Sequence, residues 1–178
     1  MIMETQRLIL RELTMSDLDD LHCILSDPAS MIHYPKLFSR GKSIRWIEWN
    51  LDNYAALGFG LWAVVLKQEN LFIGDCGITL QKIDGEYLPE IGYHINKAHT
   101  GKGYATEAAR ACRDYAFEVL KLPKVYSYMK YTNIASQKVA EKNDMRLVAE
   151  IEDEVNTITK VYAISVDELL SLNTQLTS

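Results

Sequence analysis

The 178-residue chain has only three cysteines, no run of 18 apolar residues and no surplus of basic charge. Each shortage excludes something. Cys23, Cys76 and Cys112 are odd in number and far apart, which fits reduced thiols and not a disulfide framework. Without a long apolar run, and with no signal-peptide pattern in MIMETQRLIL, the chain reads as cytoplasmic with no membrane partner. Nineteen Lys and Arg against 24 Asp and Glu leave a net charge of −5. That balance carries no overall basic footprint, so no nucleic-acid partner is expected. His22, His33, His94 and His99 show no metal-ligand spacing, and no metal is expected. No internal repeat or low-complexity stretch divides the chain. With 48% hydrophobic residues it has room for a substantial core, read as one domain over residues 1–178.

The most informative stretch runs from Leu88 to Leu120. Glu90-Ile91-Gly92-Tyr93-His94-Ile95 reads as a buried strand, rich in β-branched and aromatic residues. A turn carrying Gly101 and Gly103 follows, and then a helix. Ala105, Ala108, Ala109, Cys112, Tyr115, Ala116, Val119 and Leu120 form its apolar stripe, and the alanines allow close approach to a sheet. A helix N-terminus leaves backbone N–H groups without internal partners, and its dipole favours negative charge. Glycines let an anion come near the backbone. The turn therefore reads as a phosphate or pyrophosphate cradle. It is not a P-loop, because no Gly-Lys-Ser/Thr follows. Thr106 stands where a dinucleotide fold would place its third glycine.

Thr100-Gly101-Lys102-Gly103-Tyr104-Ala105 resembles the acyl-CoA pyrophosphate loop of the GNAT superfamily, Arg/Gln-x-x-Gly-x-Gly/Ala. The run GKGYATEA after EIGYHI, and the Asn133-to-Met145 stretch with its Asn-x-x-Ser pattern at Asn133 and Ser136, resemble the branch containing the ribosomal-protein N-terminal acetyltransferases. The likeness extends from about Glu4 to Val166.

In chain order, Arg7–Leu13 alternates as a first strand, and Ser16 reads as the N-cap of a helix reaching Leu25. A second helix spans roughly Lys42 to Leu57, stopped by Gly58. Leu61–Leu66, Leu71–Gln81 and Tyr87–Ile95 read as strands joined by short polar connectors, hence antiparallel neighbours. The helix after Gly103 leads to a fifth strand, Lys124–Lys130, by a parallel crossover. A helix over Ala135–Lys142 and strands over Arg146–Asp153 and Thr157–Ser165 follow, and the last segment is a short helix or a tail. The fold class is α/β (α+β). A mixed sheet of about seven mostly antiparallel strands, in the order β-α-α-β-β-β-α-β-α-β-β, is the pattern that the resemblance implies.

The resemblance implies acetyl-CoA as cosubstrate and direct transfer of its acetyl group to a primary amine, on a protein N-terminus or a small molecule. It implies a splay between the fourth and fifth strands, with the pantetheine arm along the backbone of Ile95, Asn96 and Lys97, as far as Ala98. The pyrophosphate is expected on N–H groups of Gly101, Lys102, Gly103, Tyr104 and Ala105. Lys102 either adds charge there or is solvated, and Thr100 replaces the usual Arg or Gln. Asn133 is expected to bond the CoA arm, to cap its own helix, or both. Ser136 is placed near the sulfur as a candidate catalytic residue that would protonate the departing thiolate. The tyrosine that many members use as acid is replaced by Ala140. Glu90 is the candidate base, since partial burial raises a carboxylate toward the useful range; otherwise it positions the acceptor. His94 shares its face by strand alternation and reads as a structural histidine before a base. Cys112 and Cys76 read as core. Trp46, Trp49 and Tyr34 read as core residues or as walls of an acceptor pocket. Homodimers are common among relatives, but no stretch states an interface. A catalytically silent CoA-binding sensor or scaffold is the alternative, and a mononucleotide-binding protein a third reading.

Overall fold

The computed structural model describes residues 1–176. Eight strands form one sheet in the order β1-β2-β3-β4-β5-β6-β8-β7. They are β1 (Met3–Glu4), β2 (Leu8–Glu12), β3 (Leu61–Leu66), β4 (Leu71–Ile83), β5 (Glu86–Ile95), β6 (Lys124–Lys130), β7 (Arg146–Asp153) and β8 (Thr157–Ser165). The helices are α1 (Leu18–Leu25), α2 (Arg40–Leu57), α3 (Tyr104–Glu118), α4 (Ile134–Lys142) and α5 (Val166–Leu176). The fourth and fifth strands expected from the sequence are thus β5 and β6. The strand beyond the expected seven is β1, whose two residues pair with β2 through Met3↔Leu10 and Glu4↔Ile9. Two residues are too short to show a periodicity. The closing segment is helical.

Two apolar clusters flank the sheet. One lies under α3 and α4 and contains Trp62, Ile91, Ala108, Cys112, Ala116 and Ala140. The other lies under α1 and α2 and contains Leu21, Ile24, Ile47, Ala63 and Val65. β3 feeds both clusters and is buried along its whole length. Cys76 and Cys112 are core residues, their sulfurs 3.6 Å apart.

Local chemistry sets the helix ends. Ser39 accepts the Lys42 N–H at the start of α2, and Gly58 ends it at φ +78°. α1 departs from the expected Ser16 cap. A single 3₁₀ turn, Met15–Asp17, precedes it, and the Asp17 carboxylate accepts the Thr14 N–H at 2.8 Å. Arg11 grips the same carboxylate with both terminal nitrogens, at 2.7 and 2.8 Å. The fork anchors the end of β2 to the start of the helix.

β4 and β5 pair over ten positions, from Ile83↔Glu86 to Gly74↔Ile95. β5 and β6 are parallel, with α3 as their crossover, and their register is the single bridge Glu90↔Tyr126. Beyond that bridge the two strands part. The cleft between them is what the fold provides for chemistry.

Candidate active site

Two cavities open on this cleft. The first, about 260 Å³, is lined by Glu90, Gly92, Thr79, Trp46, Tyr128 and Asn156 among others. The second, about 420 Å³, runs from Tyr93 and Ile95 past Gly101, Gly103, Tyr104 and Ala105 to α4. His33, Tyr34, Tyr93, His94, Asn133 and Ser136 line both. Those six side chains ring the junction between them.

The second cavity includes the glycine turn at the start of α3. Gly101 and Gly103 lie at φ +76° and +84°, a region that side chains with a Cβ rarely adopt. The Glu107 N–H closes onto the Gly103 carbonyl at 3.0 Å. The N–H groups ahead of it, on Gly103, Tyr104, Ala105 and Thr106, are therefore left at the open helix end. Arg7, in the link between β1 and β2, braces this turn from outside. Its guanidinium donates to the Lys102 carbonyl at 3.0 Å and to Glu107 at 2.6 Å, and lies 4.5 Å from the Tyr104 ring centre. Arg7 stands 95 residues from the turn, and no local pattern announced its role. Lys102 is exposed and does not line this cavity.

One sequence expectation needs correction. Asn96 and Lys97 do not offer a free backbone edge, and neither does Ala98. Their N–H groups are taken by the Ile73 carbonyl (2.9 Å), the Ser30 hydroxyl (3.1 Å) and the Asn96 side chain (2.9 Å). The chain turns into a short 3₁₀ segment at Lys97–His99, because the Asn96 side chain caps it. β5 ends at Ile95, and its edge facing the cleft lies from Gly92 to Ile95.

Glu90 stands at the parallel bridge and lines the smaller cavity. It is 8% exposed, and burial pushes its carboxyl up to about 8 against the weak bond, at 3.4 Å, that Thr79 donates. Gln81 donates in turn to the Thr79 hydroxyl at 3.1 Å. Gly92 makes room for this carboxyl, since a Cβ there would stand 2.8 Å from Glu90 Oε2. A carboxyl poised near neutrality in a cavity can exchange protons with a bound group.

His94 shares the cavity wall with Glu90, as alternation predicts. Its backbone N–H and ring Nδ1 both meet Asp75 Oδ1, at 3.0 and 2.8 Å, while Trp46 Nε1 donates to Oδ2 at 3.2 Å. Asp75 is fully buried. The contact with Asp75 fixes the His94 ring against Tyr34 and Trp46, whose centres lie 5.0 and 5.9 Å away. Trp46 and Tyr34 thus wall the pocket, and Trp49 packs behind Trp46 at 5.1 Å. Asp75 escaped sequence reading, because its partners are 19 and 29 residues away.

Asn133 accepts the Ser136 N–H at 3.1 Å and so caps α4, while lining both cavities. Ser136 is half-buried at the junction. Ala140 is buried in the core and lines neither cavity. Among the described residues, no group of three or more His, Cys, Asp and Glu converges as a metal site would require.

The family model for the acetyltransferase (GNAT) domain matches residues 7–146. The uncharacterized protein YkkB of Bacillus subtilis (strain 168) is 38% identical over 122 residues, covering 68% of this chain and 71% of that protein. A GNAT-family acetyltransferase from Bacillus anthracis superposes with a TM-score of 0.79 at 27% identity, over 93% of this chain and 98% of that one. RimL, a ribosomal L7/L12 alpha-N-protein acetyltransferase solved in complex with coenzyme A, shares the fold at a TM-score of 0.77 and 17% identity, over 94% and 98% of the two chains.

Proposed function

The chain belongs to the acetyltransferase (GNAT) family, and from that premise we propose that it moves the acetyl group of acetyl-CoA directly onto a primary amine, with Glu90 as the base. The observation that carries this reading is the junction. A cavity with an anion cradle at one end meets a cavity holding a carboxyl near neutrality.

The residues present fit the cosubstrate. Gly101 and Gly103 leave the cradle open, since an added Cβ at Gly101 would meet nothing within 4 Å and one at Gly103 only Arg7 at 3.4 Å. Two buried polar atoms without a partner, the Tyr93 hydroxyl and His99 Nδ1, belong to residues lining the same cavity. A polar ligand would satisfy both. When bound, acetyl-CoA supplies a thioester carbonyl to be attacked. The N–H groups of Gly101 to Ala105 hold its pyrophosphate, and the β5 edge up to Ile95 pairs with its arm. Asn133 and Ser136 face it from α4. Glu90 takes the proton that the incoming ammonium must lose before its nitrogen can attack. Tyr34 and Trp46 offer aromatic faces to that cation on its way in. The acceptor is a protein α-amino group, as RimL's name gives for RimL, or a small amine. A cytoplasmic site of action belongs to the same proposal.

The test is a thermal-shift titration with acetyl-CoA, CoA and ATP, followed by mass spectrometry on a panel of peptides with free N-termini and small amines. A ligand that binds only the folded state raises Tm. We expect shifts with both CoA species, lost in a folded Gly103→Glu protein, and acetylation within one arm of the panel. No shift with saturating acetyl-CoA would overturn the reading. Tight CoA binding with no product on any amine would leave a CoA-binding sensor instead.

A further inference from the structure

We propose that Tyr93 is a catalytic residue of this transfer, its hydroxyl donating a hydrogen bond to the coenzyme sulfur as the carbon–sulfur bond breaks. The proposal rests on the acetyl-transfer reading above.

Tyr93 projects from β5 on the face opposite Glu90 and His94, because successive strand residues alternate. Its ring packs on the core cluster beneath α3 and α4, which fixes its direction. Its hydroxyl is buried and has no hydrogen-bond partner among the described residues. Buried hydroxyls are nearly always paired, and leaving one unpaired costs stability. A fold that keeps this one unpaired at the cavity junction has a use for it there.

The neighbours narrow that use. No lysine or arginine lines both cavities, so a negative charge developing at the junction must be met by neutral donors. Asn133 gives its side-chain oxygen to the α4 cap and His94 Nδ1 is committed to Asp75, whereas among the buried side-chain polar atoms of the six shared residues the Tyr93 hydroxyl alone has no partner. The Ser136 side chain acts on the Tyr93 phenol, opposing the rise that burial imposes, yet no bond closes between them in this structure. The Ser136 side chain therefore stands close to a phenol whose hydroxyl has no bond partner in the structure. Burial keeps the phenol protonated at any working pH, so it stays a donor.

In the step itself, the ammonium first gives one proton to Glu90. The amine nitrogen then forms the C–N bond, and the electrons of the C–S bond leave with sulfur. Tyr93 holds that sulfur by a hydrogen bond with its own O–H intact, because a phenol is a weaker acid than a thiol. The second proton on nitrogen passes to solvent, and solvent later protonates the thiolate. Tyr93 thus stabilises charge where it develops, as a preorganised donor.

The experiment compares wild type with Tyr93→Phe, which removes one oxygen from a packed ring. Binding of CoA and of desulfo-CoA is measured across pH. In the wild type, preference for CoA should grow as pH rises and the bound thiol ionises. In Tyr93→Phe that preference should flatten by about tenfold, with kcat down about 10- to 100-fold and KM for acetyl-CoA nearly unchanged. A fluorinated tyrosine at position 93, a stronger donor of nearly the same shape, should move the preference the opposite way. Identical pH-dependent preferences in wild type and both variants would overturn the proposal while leaving acetyl transfer standing. A wild type that binds neither CoA nor desulfo-CoA would overturn both readings together.

Discussion

The two cavities that meet at Tyr93 and Ser136 are made of different material. The one assigned to the coenzyme takes its anion cradle from backbone, two left-handed glycines and the open end of α3, and shares its side-chain wall at the junction with the other cavity. The one assigned to the acceptor is built of side chains: Glu90, Thr79 and Gln81 on one side, and Asp75, His94, Trp46 and Tyr34 on the other. Backbone donors tolerate many side-chain changes provided the dihedral angles survive. A side-chain pocket depends on a few atoms, and each is coupled to a partner elsewhere in the chain. The comparison predicts that damage to the two regions should separate into different kinetic constants.

Its sharpest test is Glu90→Gln. Removing the carboxylate while keeping shape should lower kcat about 10²- to 10⁴-fold, the range for loss of a general base. Affinity for acetyl-CoA should stay within about twofold, because the cradle lies in the other cavity. Wild-type kcat/KM should climb as pH rises through about 8, where Glu90 loses its proton, and the variant should lack that limb. Steady-state kinetics across pH checks both. A large loss of acetyl-CoA affinity in Glu90→Gln would merge the regions and break the distinction.

Arg7→Ala probes the other side and should do less. The arginine braces the glycine turn through the Lys102 carbonyl and Glu107, but its side chain is 42% exposed, so solvent screens the pair. Loss of about 1 kcal/mol is expected, seen as a roughly fivefold rise in KM for acetyl-CoA at unchanged kcat. A fall in kcat at saturation would place Arg7 in the chemistry instead of the cradle.

The same contrast explains what could be read in the sequence. The bounds of β3, β6, β7 and β8 agree residue for residue with the expectation from pattern and turn chemistry. The glycine turn was legible because positive φ at Gly101 and Gly103 demands a residue type and leaves a spelling. Glu90 was legible as a lone carboxylate in an apolar strand. Asp75 looked like any polar residue in β4. Its part appears only when antiparallel register sets it against His94 and the helix brings Trp46 above it. The end of β5 at Ile95 was legible too, but the turn after it was not, because Asn96 competes locally for backbone bonds, a choice that composition does not reveal. The unpaired state of the Tyr93 hydroxyl is likewise a property of the folded cavity.

The smallest expected effect concerns stability and carries its own sign. Glu90 in the folded protein keeps its proton up to about pH 8, whereas in the unfolded chain it ionises in the ordinary carboxylate range near pH 4. Below that range both states are protonated, and the burial of Glu90 costs nothing extra. As pH climbs toward 8, the unfolded chain sheds the proton and the folded one does not, so folding loses stability. Above about 8 both states are ionised and the loss levels off. Glutamine never ionises and escapes the penalty. Glu90→Gln should therefore match wild type in Tm near pH 4 and exceed it increasingly up to pH 8, by about 2–4 °C if solvent relaxation leaves about 1 kcal/mol of the penalty. Differential scanning calorimetry from pH 4 to 9 reads this gap directly. A gap that grows with pH, in the same protein that has lost its activity, would mark Glu90 as a carboxyl held at a cost to the fold. A flat gap would mean that water reaches the carboxyl freely, and the pocket would lose its proposed base along with its strain.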